Sequence, residues 1–202
     1  THIDAINIPE VHDEVGRGER PVSNQERGEP RKFGMLLQDI VGIEAIVNRV
    51  VVHMPLKKQL KWIQETYSKY EIDNLIIVGG ESSKQKYPGP TVNESLKKIS
   101  QDNRRRENSI LCGGLCIPSR RKESKNLIRK SECGAEFFTT QVLCDSGNVI
   151  KMIKNYQERC DKVNTFPRRI LLSFAPVSSQ KNIDFLKWLG VEIPKDTEKY
   201  LN

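Results

Sequence analysis

The sequence lacks any run of about 18 consecutive apolar residues, so no membrane-spanning helix is expected. Its first residues lack the basic segment followed by an apolar stretch that is typical of a signal peptide. Its five cysteines form no Cys-x-x-Cys pair, which excludes a zinc ribbon or a dithiol redox motif. Reduced thiols at irregular spacings favour a cytoplasmic location.

Several signatures of catalysis are also absent. The chain has only three histidines, none at the spacing of a metal-binding pair, so no metal site is predicted. There is no Gly-x-Ser-x-Gly elbow and no cysteine beside a histidine, which argues against covalent catalysis. The Walker loop and the Gly-x-Gly-x-x-Gly dinucleotide fingerprint are missing too.

Positive charge is in excess, with a formal net charge of +7, which favours anionic partners. The densest basic run, Arg104 to Arg106, has no aromatic residues interleaved for stacking on bases. This pattern argues against nucleic acid, so phosphorylated cofactors and polycarboxylates are the better candidates.

Short β-branched apolar segments alternate with segments of helical period, which predicts parallel strands covered by helices. Six strands are predicted, at 3–8, 45–53, 74–79, 109–117, 136–140 and 170–174. Helices are predicted between them, at 56–70, 91–100, 124–133, 146–160 and 179–189. Six such strands fit an open doubly wound sheet or most of a (β/α)8 TIM barrel, which takes about 250 residues when complete. We expect one domain over 1–202, with 15–31 as a mobile loop.

Polar side chains follow the predicted strands, where parallel α/β folds place their sites. His53 ends the second strand, and the third ends on Gly79, Gly80 and Glu81. Arg121 follows the fourth strand, and Gln141 follows the fifth. Any one of these residues fits a role in a loop, but together they indicate a polar rim above an apolar core, as in many enzymes.

Several motifs in combination resemble the methylenetetrahydrofolate reductase family. The run GAEFFTTQ, from Gly134 to Gln141, is similar to a family strand with Gly-Ala, an aromatic pair and a Thr-Gln ending. ILLSFAPVSSQKNIDFLKWLGVEIP is similar to the following unit, and HIDAINIPEVHDE and VVHMPLKKQLKWIQ to early strands. VGGESS and GGLCIPSRRKE are closer to a divergent branch of the family.

The resemblance implies a TIM barrel that binds FMN and reduces 5,10-methylenetetrahydrofolate to 5-methyltetrahydrofolate with NAD(P)H. It places Lys130 on the FMN phosphate, His53 at the start of a loop facing the folate and cofactor, and Gln141 on the pterin. Glu81 takes the position of an aspartate that lies near flavin and folate. The resemblance therefore assigns it a catalytic role and contacts with both the cofactor and the substrate. Gly79 and Gly80 would let a flat ring approach the backbone.

This chain departs from the family pattern at several positions. Glu81 is one methylene longer than the usual aspartate, and Ile117 and Arg121 replace a tyrosine and a histidine. We assign Arg121 to the cofactor site. The acidic residue that contacts the flavin ribitol has no clear counterpart, and the family's first-strand glutamate and final strand lie outside these residues.

The sequence therefore predicts a flavin-dependent oxidoreductase of one-carbon metabolism, linked to methionine biosynthesis. A folate-binding barrel without flavin, acting as an accessory or with a partner subunit, is the first alternative. A basic interaction domain for nucleic acid is the second. Whether the chain forms a homo-oligomer stays open.

Overall fold

The computed structural model describes residues 3, 5–12, 18–19, 21, 28–81, 85–104 and 110–201, with backbone only at 200–201. Its strands and helices alternate, and the elements are β1 (Ala5–Ile8), α1 (Pro30–Val41), β2 (Glu44–Val50), α2 (Leu56–Tyr70), β3 (Asn74–Val78), α3 (Val92–Asn103), β4 (Leu111–Cys116), α4 (Glu123–Glu132), β5 (Phe137–Val142), α5 (Ser146–Lys162), β6 (Arg169–Ser173), α6 (Gln180–Trp188) and α7 (Lys195–Leu201). Hydrogen bonds connect the strands in chain order, β1 to β6. Six parallel strands flanked by helices fit an incomplete α/β barrel; the described residues do not form a full eight-stranded barrel.

Contacts divide the chain into two compact units. Unit 1 comprises 1–12, 26–114 and 129–137, and unit 2 comprises 13–25, 115–128 and 138–202. The expectation of a single barrel-like domain stays a prediction. Among the described residues, no helix is long and apolar enough to cross a bilayer.

The register of unit 1 is parallel from β1 to β4. Ile8 pairs with Val47, and Val47 pairs in turn with Leu75. The six residues from Ala45 to Val50 are all buried, as is typical of a parallel strand with both faces covered. This continuous burial is the reason that the strand reads as an unbroken apolar run apart from Asn48 and Arg49.

Capping residues are present at ends of several of the predicted helices. Thr91 and Glu94 form a reciprocal capping box at the start of α3, directly after Pro90. Gly134 and Gly190 follow α4 and α6 with φ of 108° and 83°, a region that favours glycine.

The sequence prediction omits two helices, α1 and the short C-terminal α7. Residues 15–31 were expected to be a mobile loop, but most of them lie outside the described residues, and Pro30 and Arg31 already belong to α1. The helix begins at Pro30 with the Glu29 side chain accepting from the Arg31 N–H, a favourable start for a helix. Gly34 allows close packing, because a Cβ there would lie 2.8 Å from Ile72 Cδ1.

Gly89 provides a direct test of backbone packing before α3. Its N–H donates to the Val52 carbonyl at 2.8 Å, and a Cβ would lie 2.7 Å from the Val52 carbonyl carbon and overlap the Val51 oxygen. We expect Gly89→Ala to lower the free energy of unfolding by roughly 1–3 kcal/mol, since rigid backbone must move. Urea denaturation measures this, with Gly28→Ala as the control because no atom lies within 4 Å of its Cβ position. Equal stability of the two variants would contradict the packing.

Candidate functional site

A buried ion pair lies at the carboxyl end of β1 in unit 1. Glu10 Oε1 accepts from Arg49 Nη1 at 2.6 Å, and Glu10 Oε2 accepts from the Val50 N–H at 2.6 Å. Arg49 also donates from Nε to Gln59 Oε1 at 2.8 Å. Its guanidinium lies over the Trp62 ring, 4.3 Å from the centroid. These contacts satisfy a charge whose side chain is only 4% exposed.

Burial and the neighbouring groups shift both pKa values of the pair. Burial acts to raise the pKa of Glu10, but the nearby His12, the charge of Arg49 and the Val50 N–H outweigh it and lower the pKa. Burial lowers the pKa of Arg49, and the carboxylate of Glu10 opposes that shift. Glu10 is therefore held in its ionised form.

Two histidines and a tyrosine lie beside the ion pair. His12 Nε2 is 3.3 Å from Glu10 Oε1, and its ring centroid is 4.6 Å from that of His53. Tyr87 contacts His53 edge-on, with 5.6 Å between ring centroids. The sequence analysis assigns a site role to His53 but none to Glu10, His12, Arg49 or Tyr87, because a polar residue after a strand, a buried arginine and a loop tyrosine carry no local motif.

Gly80, the second of the two glycines after β3, lies against the same tyrosine. A Cβ on Gly80 would be 2.5 Å from Tyr87 Cε2 and would overlap Cζ. A Cβ on Gly79 would be 3.2 Å from Val92 Cγ2, a tight contact. Gly80 is predicted to leave room for a flat ring, and in the structure the ring of Tyr87 lies there. The cofactor role of Gly80 stays a prediction.

The remaining predicted cofactor contacts in unit 1 are Glu81 and Lys130. Glu81 is exposed directly after Gly80, and Lys130 is half-buried in the last turn of α4. The structure brings His53, Gly80 and Tyr87 together, but it does not decide the roles of Glu81 and Lys130, which stay predictions.

Unit 2 contains a cavity of about 380 Å³ at the end of β5. It is lined by Pro118, Ser119, Gln141, Val142, Leu143, Cys144, Asp145, Asn148, Glu192, Ile193 and Pro194. Gln141, the predicted pterin contact, is half-buried here and donates from Nε2 to the Leu189 carbonyl at 3.1 Å. This bond fixes which end of the amide is nitrogen and leaves Oε1 as an acceptor for a ligand.

Two ionisable groups of the cavity, Asp145 and Cys144, directly precede α5 and have shifted pKa values. Asp145 accepts from the N–H groups of Asn148 and Gly147, and these bonds lower the pKa of its carboxyl. Burial raises the pKa of the Cys144 thiol, which makes it a weak nucleophile at neutral pH.

Arg121 lies exposed in the turn before α4, also in unit 2. That turn is held by Glu123, a side chain 1% exposed that accepts from the Ile117 N–H at 3.2 Å and from Asn126 Nδ2 at 3.1 Å. Glu123 is a buried acid that the sequence analysis misses. The cofactor role of Arg121 stays a prediction.

Comparison with known proteins supports the fold. A solved structure from Clostridium thermocellum superposes with a TM-score of 0.71 at 22% sequence identity. That protein is described as uncharacterized and as binding two copies of 5-methyl-5,6,7,8-tetrahydrofolic acid. The match covers 87% of this chain and 59% of that protein, so the chain spans less than two thirds of its length. No family model and no curated protein matches the sequence.

The comparison does not test the resemblance to the reductase family. Identity of 22% supports the shared fold, and membership of the methylenetetrahydrofolate reductase family stays a prediction. Among the described residues, no group of three or more His, Cys, Asp or Glu side chains could hold a metal ion.

The Glu10–Arg49 pair predicts a pH-dependent stability. The pKa of Glu10 is lowered on folding, so the carboxylate stabilises the protein above its unfolded pKa, and this stabilisation is lost as pH falls through the folded pKa. We expect Glu10→Gln to lower the free energy of unfolding at pH 7 by roughly 1–3 kcal/mol, since a hydrogen bond to a charged group is lost.

The measurement is urea denaturation of both proteins between pH 7 and pH 3. The difference between wild type and Glu10→Gln should shrink on acidification, because protonation removes the same charge from the wild type. Glu65→Gln is the control, as Glu65 is 44% exposed and 3.8 Å from Lys61 Nζ. A difference that does not change with pH would contradict the ionised pair.

Proposed function

We propose that this chain binds a reduced folate in the cavity after β5 and does so without a flavin. The observation that carries the proposal is the position of Gln141. The residue that the sequence resemblance assigns to the pterin lines a cavity whose other polar groups are a serine, an asparagine and two carboxylates. The fold it shares with a protein that binds 5-methyltetrahydrofolate supports the same conclusion.

The chemistry of the cavity suits a pterin edge. That edge presents an amino group and a ring N–H as donors beside a carbonyl acceptor. Gln141 and Asn148 can each donate and accept, while Glu192 can accept two N–H groups at once. Pro118 and Pro194 add apolar surface for a flat ring. The formal charge of +7 favours the anionic glutamate tail of a folate.

Substitution of Gln141 tests this site. We expect Gln141→Leu to weaken binding of 5-methyltetrahydrofolate about tenfold, because a ligand donor would lose its acceptor inside the cavity. Isothermal titration calorimetry measures the affinity. Thermal unfolding of the same samples shows whether loss of the bond to Leu189 has changed the fold.

Gln157→Leu is the matched control. Gln157 lies on the exposed side of α5, where its Nε2 donates to Asp161 Oδ1 at 2.8 Å, and it is not among the cavity residues. Its substitution should leave the affinity unchanged. Absence of binding to the wild type at millimolar ligand, or equal affinity of Gln141→Leu, would refute the proposal.

The second candidate is the flavin-dependent reductase, with FMN and NAD(P)H as cofactors. One observation favours it, since the ligand of the similar structure, 5-methyltetrahydrofolate, is the product that such a reductase forms. FMN would supply the hydride, while the protein would orient the pterin through Gln141 and set the local charge through Glu81.

A flavin assay separates the two candidates. The reductase predicts visible flavin absorbance that remains with the protein after gel filtration, together with NADH or NADPH oxidation that depends on methylenetetrahydrofolate. The folate-binding candidate predicts a measurable folate affinity with neither signal. No FMN uptake at micromolar concentration would exclude the reductase.

A further inference from the structure

We propose that Tyr87 occupies the place against Gly80 that a flavin ring would need, and that it is the residue that makes this chain select folate without flavin. The inference deepens the proposed function and rests on it, because selection of folate requires that the chain binds folate. It concerns three residues of unit 1: two from the predicted cofactor site, His53 and Gly80, and a tyrosine that no motif marks.

The first step of the argument is the contact itself. Glycine at position 80 exposes bare backbone, which is the feature that a flat ring needs for close approach. The end of the Tyr87 ring lies within that volume, because a Cβ on Gly80 would overlap its Cζ and lie 2.5 Å from its Cε2. A second planar ring cannot occupy the same space.

The second step is that Tyr87 also contacts His53, which is predicted to contact the cofactor. Its ring meets His53 edge-on, at an interplanar angle of 79° and a centroid distance of 5.6 Å. His53 in turn lies against His12 with 4.6 Å between centroids. Edge-to-face contact is a favourable arrangement for aromatic rings, so these side chains support one another without a ligand.

The third step is that the segment carrying Tyr87 is anchored. Two residues later, Gly89 donates to the Val52 carbonyl at 2.8 Å and packs directly on the backbone between β2 and α2. The Tyr87 hydroxyl is 3.3 Å from Gln85 Oε1. The backbone packing of Gly89 restricts how far the ring can move away from Gly80.

Titration with FMN compares wild type, Tyr87→Phe and Tyr87→Ala, and the quenching of flavin fluorescence measures binding. Wild type and Tyr87→Phe both keep the ring and should bind FMN weakly or not at all. Tyr87→Ala should bind at least tenfold more tightly than either. Wild type binding as tightly as Tyr87→Ala, or no gain on removing the ring, would overturn the inference.

A stability comparison tests the contact without any ligand. Gly80→Ala should lower the midpoint of thermal unfolding in the wild type, because the new methyl group must displace the Tyr87 ring. It should have a smaller effect in Tyr87→Ala, where the space is open. Equal effects in the two backgrounds would show that the ring does not fill the space. Tyr87→Val takes the place of Tyr87→Ala in both experiments if the alanine variant does not fold.

The design separates this inference from the proposed function. Titration of the wild type with 5-methyltetrahydrofolate decides whether the chain binds folate, whatever the flavin result. The comparison of FMN binding between wild type and Tyr87→Ala decides the role of Tyr87, whatever the folate result.

Discussion

The buried guanidinium of Arg49 is the constraint around which unit 1 is arranged. A charge on a strand inside the sheet must find compensation within reach, and the partners come from two neighbouring elements. Glu10 comes from the end of β1, Gln59 and Trp62 come from α2. Because a buried charge without partners costs several kcal/mol, these contacts constrain how β1 and α2 lie against β2. Trp62 is also in contact with Arg31 of α1, 4.4 Å from the ring centroid, so the first two helices meet over the same side chain.

The same arrangement places the histidines. Glu10 is fixed by Arg49 and by the Val50 N–H, and His12 follows two residues after it. His53 lies three residues after the end of β2, so both imidazoles are held at the ends of paired strands. A cofactor or substrate that binds at this edge meets groups whose positions are decided by the packing of the core beneath them.

Periodicity and capping signals predict most of the fold, because these are local features of the chain. The alternation of apolar strands and helices predicts the six strands and five of the seven helices in the right order, and the predicted start of a helix at position 91 agrees with the Thr91–Glu94 cap of α3. Helix α1 is missed because its apolar positions follow a long polar segment, and several of them stay exposed. Ile40, for example, is 73% exposed and Phe33 is 51% exposed. Its helical conformation comes from Pro30, the Glu29 cap and the close packing at Gly34.

The candidate sites show which features a local sequence pattern can predict and which it cannot. Gln141 lines a cavity, as a residue at the end of a strand can be expected to do. The partner of Gly80 could not be predicted, since Tyr87 lies seven residues further along the chain and belongs to no helix or strand of the described residues. Nothing in the letters VGGESSKQKYPGP distinguishes a glycine left open for a ligand from one covered by its own chain.

The chain has two tryptophans, and each belongs to a different unit. Trp62 lies between guanidinium groups in unit 1, whereas Trp188 in unit 2 stacks on Phe185 and donates from its indole nitrogen to the Gly18 carbonyl. Their emission therefore comes from two different electrostatic surroundings. Replacement of either one by phenylalanine leaves a single-residue fluorescence probe. The pair can reveal whether the two halves of this protein unfold in one cooperative step or separately.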